Sequence, residues 1–180
     1  MSAAEQNQPD QVASSTAVPS GTYAVDVQES EVRFRAKAFG LIWVRGTMPI
    51  AEGTIRITDG RLSGVGEIAA DAVNTRVAPR DWHLRTSHYL GTSKHPRIRV
   101  AADDVELSSK RADSVVTVKG TPGTVPVEVR EIETTGDRLR IEVAADLDRS
   151  PYPMLPPLAG VSRIVHVEVT VRATLASPAS

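Results

Sequence analysis

The run Arg80-Asp81-Trp82-His83-Leu84-Arg85 holds the residues whose types and spacing could do chemistry. A carboxylate beside an imidazole is acid–base machinery when both face one site. The same residues can instead form a structural ion pair, and that is the reading we expect. Asp81 and Arg85 stand four apart with the acid first, which suits neighbours on a helix and the helix dipole. Arg80, Asp81 and Arg85 are then anchors of a helix, with His83 hydrogen-bonding locally. Metal ligation is not expected. His83 and His88 are five apart and do not share a helix face, His95 lies beyond Gly91, and there is no His-Glu-x-x-His pattern and no cysteine. The serines lack a Gly-x-Ser-x-Gly context. Gly64-x-Gly66 leads into strand rather than helix, so it is no nucleotide fingerprint. These residues together predict neither catalysis nor a cofactor.

The elements that must position this run follow from periodicity. Pro79 suits a first helical turn and Gly91 a helix end, which predicts one short helix over 79–90. Trp82, Leu84 and Tyr89 give it apolar surface with which to dock. Elsewhere apolar and charged residues alternate with period two, the mark of half-buried strands. Val32, Phe34, Ala36 and Ala38 oppose Glu31, Arg33, Arg35 and Lys37. Leu62, Gly64, Gly66 and Ile68 share one face, as do Ile98, Val100 and Ala102, and then Val116 and Val118. Val125, Val127 and Val129 continue the pattern, followed by Leu139, Ile141 and Val143, and last by Val165, Val167, Val169 and Val171. Turn signals such as Asp59-Gly60 and Gly136-Asp137 separate them. About eight such strands make an all-β, antiparallel sheet with one buried side, a barrel or a sandwich. Periodicity does not choose between the two.

With 180 residues the chain has the length of one domain, and its net charge of −1 gives no case for nucleic acid. Base-stacking surfaces are not expected either, because the few aromatics fall on the helix, the apolar faces and a loop. No stretch approaches the roughly 18 apolar residues of a membrane span, so stable insertion is not expected. Residues 1–20 are polar and small, with neither a positive n-region nor an apolar h-region. They read as a mobile tail, and the expected compartment is the cytoplasm. The domain is expected over 21–176, with a short tail at 177–180. Four prolines in Ser150 to Gly160 exclude regular structure there. Met154, Leu155 and Leu158 make that stretch a rim connection or a lid.

The segment from Asn74 to Pro96 resembles the signature of the YceI-like family of lipocalin-like, polyisoprenoid-binding proteins. The resemblance rests on Asn74-Thr75, then Arg80-Asp81-x-His83-Leu84-Arg85, then Tyr89-Leu90, then His95-Pro96 before the next strand. Tyr23-x-Val-Asp26, the glycines at 46, 53, 120 and 123, and Asp148-Arg149-Ser150 extend it more weakly over about 21 to 175. The chain departs from the family pattern at Glu29-Ser30, at Tyr89-Leu90 and at His88. The resemblance implies a lipocalin-like antiparallel barrel with one short helix, binding a polyisoprenoid or other long-chain amphiphile without catalysis.

A barrel of about eight strands has a lumen that its side chains can just fill, or that can hold one small ligand. Small inward residues, with Gly64 and Gly66 among them, leave these two outcomes even; the resemblance favours a cavity. The residues expected to touch ligand are Phe34, Phe39, Trp43, Gly64, Gly66, Trp82, His83, Tyr89, Val100, Val116, Ile141, Met154, Leu155 and Val167. The alternatives are an enzyme acting on a similar lipid through Arg80, Asp81 and His83, and a barrel used only for protein interaction, such as a homodimer.

Overall fold

Every alternating run in the chain becomes an antiparallel strand. The computed structural model describes residues 17–155 and 160–178. Its strands are β1 (Gly21–Val25), β2 (Glu31–Ala38), β3 (Ile42–Thr58), β4 (Arg61–Ala69), β5 (Arg97–Glu106), β6 (Arg111–Val118), β7 (Thr121–Thr135), β8 (Arg138–Asp148) and β9 (Ile164–Pro178). Between β4 and β5 lie a single 3₁₀ turn (Ala70–Ala72) and the helix α1 (Ala78–Arg85).

Both β1 and β2 pair with β3 on one side and β9 on the other. They are therefore one stave broken at residues 26–30, and nine strands close into an eight-staved barrel. Ser30 pins the break. Its hydroxyl donates to the Arg172 carbonyl at 3.2 Å and accepts from the Arg172 N–H at 2.9 Å. Closure leaves one face of each strand inside, and this is why alternation dominates the sequence.

Three hairpin turns share one backbone pattern, two of them two-residue loops and the β2–β3 one a three-residue loop. Phe39-Gly40, Asp59-Gly60 and Lys119-Gly120 all have positive φ at both positions, 50° and 72°, 51° and 75°, and 51° and 76°. This is the turn whose twist matches paired strands.

Two clusters cap the interior. Tyr23, Ile55, Ile57, Leu139, Ile141 and Ala173 fill the end that carries the β3–β4, β5–β6 and β7–β8 turns. Ala70, Val73, Leu90, Ile98, Val118 and Tyr152 pack beneath α1 at the opposite end. That second end, which we call the mouth, also carries the β2–β3 hairpin, the β6–β7 turn and the connection from β8 to β9.

Three expected boundaries move. Val18 packs on the first cluster, and the Tyr23 hydroxyl donates to the Pro19 carbonyl at 2.8 Å. Those positions therefore belong to the barrel and not to a tail; residues 1–16 lie outside the described residues. At the other terminus β9 continues to Pro178, pairing Ser177 with Thr22 and Pro178 with Gly21. The helix ends at Arg85 rather than near 90. Thr86 leaves the helix with an extended backbone, and its hydroxyl bonds the His83 carbonyl at 2.7 Å, a local alternative to another helical turn.

Candidate functional site

Between the two clusters the barrel encloses a cavity of about 610 Å³. Val32, Phe34, Ala36, Ile68, Ile98, Val100, Val116, Val127, Val143, Val167 and Val169 are in its wall, each from the inward face of its strand. Gly64 and Gly66 also line it. A Cβ at Gly66 would meet only the Glu52 carbonyl oxygen at 3.3 Å and the Gly53 Cα at 3.8 Å, so the space beyond is lumen. The irregularities flanking β4 fall between Ile50 and Glu52 on β3, and between Leu62 and Gly64 in the pairing with β5. Between Gly64 and Glu67 the register is continuous on both sides, with Gly64 facing Ile55 and Gly66 facing Gly53, so both glycines keep the inward face.

The polar residues of the wall fall in two groups: Glu52, Thr54, Glu67 and Ser114 along the strands, and a cationic and aromatic group at the mouth. Arg80 and His83 reach it from α1, Tyr89 from the turn after α1, and Arg149 from the end of β8. The Tyr89 and His83 rings meet edge to face at 5.2 Å. Arg149 is only 4% exposed. Its Nε donates to the Ser162 carbonyl at 2.8 Å, Nη1 to Leu155 at 2.6 Å and Nη2 to Val161 at 2.9 Å. No carboxylate among the described residues pairs with it. Burial pushes the guanidinium down from its ordinary value, while the neighbouring Tyr89 phenol acts the other way. The mouth wall thus holds a buried cation whose three partners are neutral carbonyls.

The expected ion pair of Asp81 with Arg80 or Arg85 does not form. Asp81 Oδ1 instead accepts from the Thr75 N–H at 2.8 Å and from the Thr75 hydroxyl at 2.5 Å. Arg80 Nε donates to the same hydroxyl at 2.9 Å, and Arg85 Nη2 donates to the Val73 carbonyl at 3.0 Å. The chain reverses at Arg76, where φ is 63°, and this brings Thr75 under the helix start before either arginine can reach the acid. Both Asp81 and Thr75 are buried. Asp81→Ala leaves two buried donors without an acceptor, at about 1–3 kcal/mol each, and is expected to lower unfolding stability by about 2–4 kcal/mol. Asp81→Asn keeps an oxygen there and is expected to cost about 1 kcal/mol. Urea titration of both variants checks the order; equal losses would restore an ionic role for the acid.

Of the residues expected to touch ligand, Phe34, Phe39, Gly64, Gly66, His83, Tyr89, Val100, Val116, Met154 and Val167 lie in the cavity wall. Four do not. Trp43 points outward because its neighbour Val44 points in; it lies beneath Arg35 and Lys37 at 5.1 and 5.2 Å. Trp82 is 69% exposed and does not dock the helix. Arg80, His83 and Leu84 take the inward side of α1, which turns position 82 to solvent. Ile141 is buried in the cluster at the far end. Leu155 donates its N–H to the His88 carbonyl at 2.8 Å, and its own carbonyl accepts from Arg149, outside the wall. The lid reading of Ser150 to Gly160 falls partly on 156–159, outside the described residues. Arg149 was missed as a wall residue: Asp148-Arg149-Ser150 marks a motif, but nothing local shows that the arginine turns inward.

Among the described residues no group of three or more His, Cys, Asp or Glu could hold a metal ion, and no helix is long and apolar enough to cross a membrane. Comparison with known proteins agrees with the fold. A UPF0312 protein of Pectobacterium atrosepticum is 30% identical over 82 residues, 44% of this chain and 43% of the relative, so the match spans less than half of that protein. The crystal structure of Burkholderia cenocepacia BcnA superposes with a TM-score of 0.69 at 15% identity, over 83% of this chain and 99% of that one. A polyisoprenoid binding domain from Saccharophagus degradans, implicated in plant cell wall breakdown, gives a TM-score of 0.66 at 18% identity, over 85% and 98%. At these identities the two structures speak for the fold alone. The model of the YceI-like domain matches residues 23–175, nearly the whole barrel, and the chain belongs to that family.

Proposed function

We propose that the protein binds a polyisoprenoid or other long-chain amphiphile in its lumen and carries or sequesters it without catalysis. The observation that carries this reading is the mainly apolar cavity of about 610 Å³, with Arg80, His83, Tyr89 and Arg149 in its wall at the mouth. Its size falls in the usual range of ligand pockets, about 300–1,000 Å³. Each methylene buried there contributes about 0.8 kcal/mol. The hydrocarbon runs toward Leu62, Val143 and Val171, and a polar head sits by Arg80, His83, Tyr89 and Arg149. Family membership and the polyisoprenoid-binding neighbour support this ligand class. The enzyme reading is weaker because Asp81, the acid nearest His83 in sequence, is turned onto Thr75 and away from the cavity wall.

Native mass spectrometry of the protein, purified without detergent from cells that make it, tests the proposal. The expected result is a bound lipid of isoprenoid or long-chain type, one per chain and unchanged on prolonged incubation. Ligand-free protein that also fails to take up added polyprenyl lipid would overturn the reading. Conversion of the lipid during incubation would replace it with the enzyme.

A further inference from the structure

The tip of the β2–β3 hairpin is apolar where a hairpin turn is ordinarily polar. Phe39 is 77% exposed, Leu41 85% and Ile42 60%. Such a run in solvent marks an interaction surface when it is contiguous. Here it is contiguous with the mouth. The Phe39 N–H donates to the Gly160 carbonyl at 2.5 Å, and its ring lies over Gly160, where a Cβ would come within 2.6 Å. Phe39 also lines the cavity.

The backbone supports the same reading. Phe39 sits at a φ of 50°, in the left-handed region, where bulky side chains are uncommon. At the corresponding position the other two such hairpins place Asp59 and Lys119. A phenylalanine held in this conformation and exposed is an outlier of the kind that gathers at functional sites.

The surrounding charge says what the surface meets. Residues 32–51 contain four Lys or Arg and no acid, and residues 73–96 contain four against one Asp, while the whole chain carries −1. That single Asp, Asp81, is buried. Arg35 and Lys37 lie over the Trp43 ring, directly behind the apolar tip. Of the eight exposed large apolar residues among those described, six stand at this end: Phe39, Leu41, Ile42, Trp43, Val77 and Trp82. Asp146 and Asp148, the acids of β8 on this side, are bonded to His166 and Arg163. An apolar tip backed by Arg35, Lys37 and Arg45, with Trp43 beside it, matches an anionic lipid surface. It is a poor match to a second copy of itself, whose cations it would face.

We propose that the β2–β3 hairpin docks the barrel mouth onto an anionic phospholipid bilayer. Phe39, Leu41 and Ile42 enter the headgroup layer and Arg35, Lys37 and Arg45 meet the lipid phosphates. The cavity then opens onto the bilayer from which an amphiphile enters or to which it leaves. That exchange rests on the function proposed above; the docking does not.

Co-sedimentation of the full chain with phosphatidylcholine vesicles, with and without about one-third phosphatidylglycerol, tests it. The expected result is binding to the anionic vesicles only, weakening as salt shortens the screening length, with a blue shift of tryptophan emission. The pair Leu41→Glu and Ile42→Glu is expected to weaken binding at least ten-fold. Arg35→Glu with Arg45→Glu is expected to do the same and to remove the salt dependence. All four positions are exposed, so circular dichroism melts should match the parent. If the glutamate pair fails to fold, Leu41→Ser with Ile42→Ser takes its place. No binding by the parent chain, equal binding to neutral vesicles, or undiminished binding by the tip variants would overturn the proposal. So would a dimer, seen by sedimentation equilibrium, that the tip substitutions abolish while vesicles stay unbound. Lipid uptake from detergent is read separately, so a vacant lumen and an undocked mouth give different results.

Discussion

Gly66→Leu is expected to lower lipid uptake at least ten-fold while the barrel remains folded. The glycine sits on the inward face of β4, opposite Gly53 and Val100, and its φ is not in the left-handed region. A side chain there is therefore not strained by the backbone. The nearest atom to its Cβ is the Glu52 carbonyl oxygen at 3.3 Å, which must give by a few tenths of an ångström. Beyond Cβ the leucine has only the lumen to occupy. Glycine inside a strand costs roughly 0.5–1 kcal/mol relative to alanine, so stability is expected to hold or rise. Uptake falls because leucine and ligand compete for the same space, and a ten-fold loss corresponds to about 1.4 kcal/mol. Thermal melts with a polyprenyl binding assay check both halves. A folded Gly66→Leu protein with full uptake would move the ligand out of the lumen.

Arg149→Met is expected to be the most destabilising single change at the mouth. One side chain holds the carbonyls of Leu155, Val161 and Ser162, on either side of the 156–159 stretch. Hydrogen bonds to a charged group contribute about 1.5–3 kcal/mol each, and we expect a net loss of about 3–5 kcal/mol after solvent recovers part. The connection from β8 to β9 should then become the first site of protease cleavage. Arg149→Lys separates fork from charge, since an ammonium cannot span three acceptors in the guanidinium plane. It is expected to lose most of the same stability. Unchanged stability in Arg149→Met, with a lost preference for anionic over neutral lipids, would reduce the residue to a headgroup contact.

The strand faces were legible because alternation is a local property with period two. Val32 and Phe34, Leu62 and Gly64, Ile98 and Val100, and Val165 to Val171 all point where counting by two places them. Asp59-Gly60 likewise announced its hairpin through the residues that tolerate positive φ. The helix was legible at its start, through Pro79, and not at its end, because the Thr86 hydroxyl's choice of the His83 carbonyl leaves no trace in periodicity.

The side chains of the run Arg80 to Arg85 were misread for a different reason. Four-residue spacing pairs Asp81 with Arg85 on an isolated helix, but a helix docked on a barrel end chooses among more partners. Thr75 puts both its N–H and its hydroxyl on Asp81, while Arg85 turns to the Val73 carbonyl.

The sequence by itself determined an all-β chain with one short helix, the inward faces of β2 and of β4 to β9, and small residues lining them, since these depend on neighbours one to four positions apart. Only the tertiary structure decided that β1 and β2 share one stave, that Trp43 and Trp82 lie outside, and that Arg149 turns into the mouth. It also decided which end Tyr23, Leu139 and Ala173 close and which end stays polar. Those outcomes depend on residues far apart in the chain, such as Ser30 with Arg172, brought together when the barrel closes. Closure is a property of the whole sheet, with no local pattern to announce it.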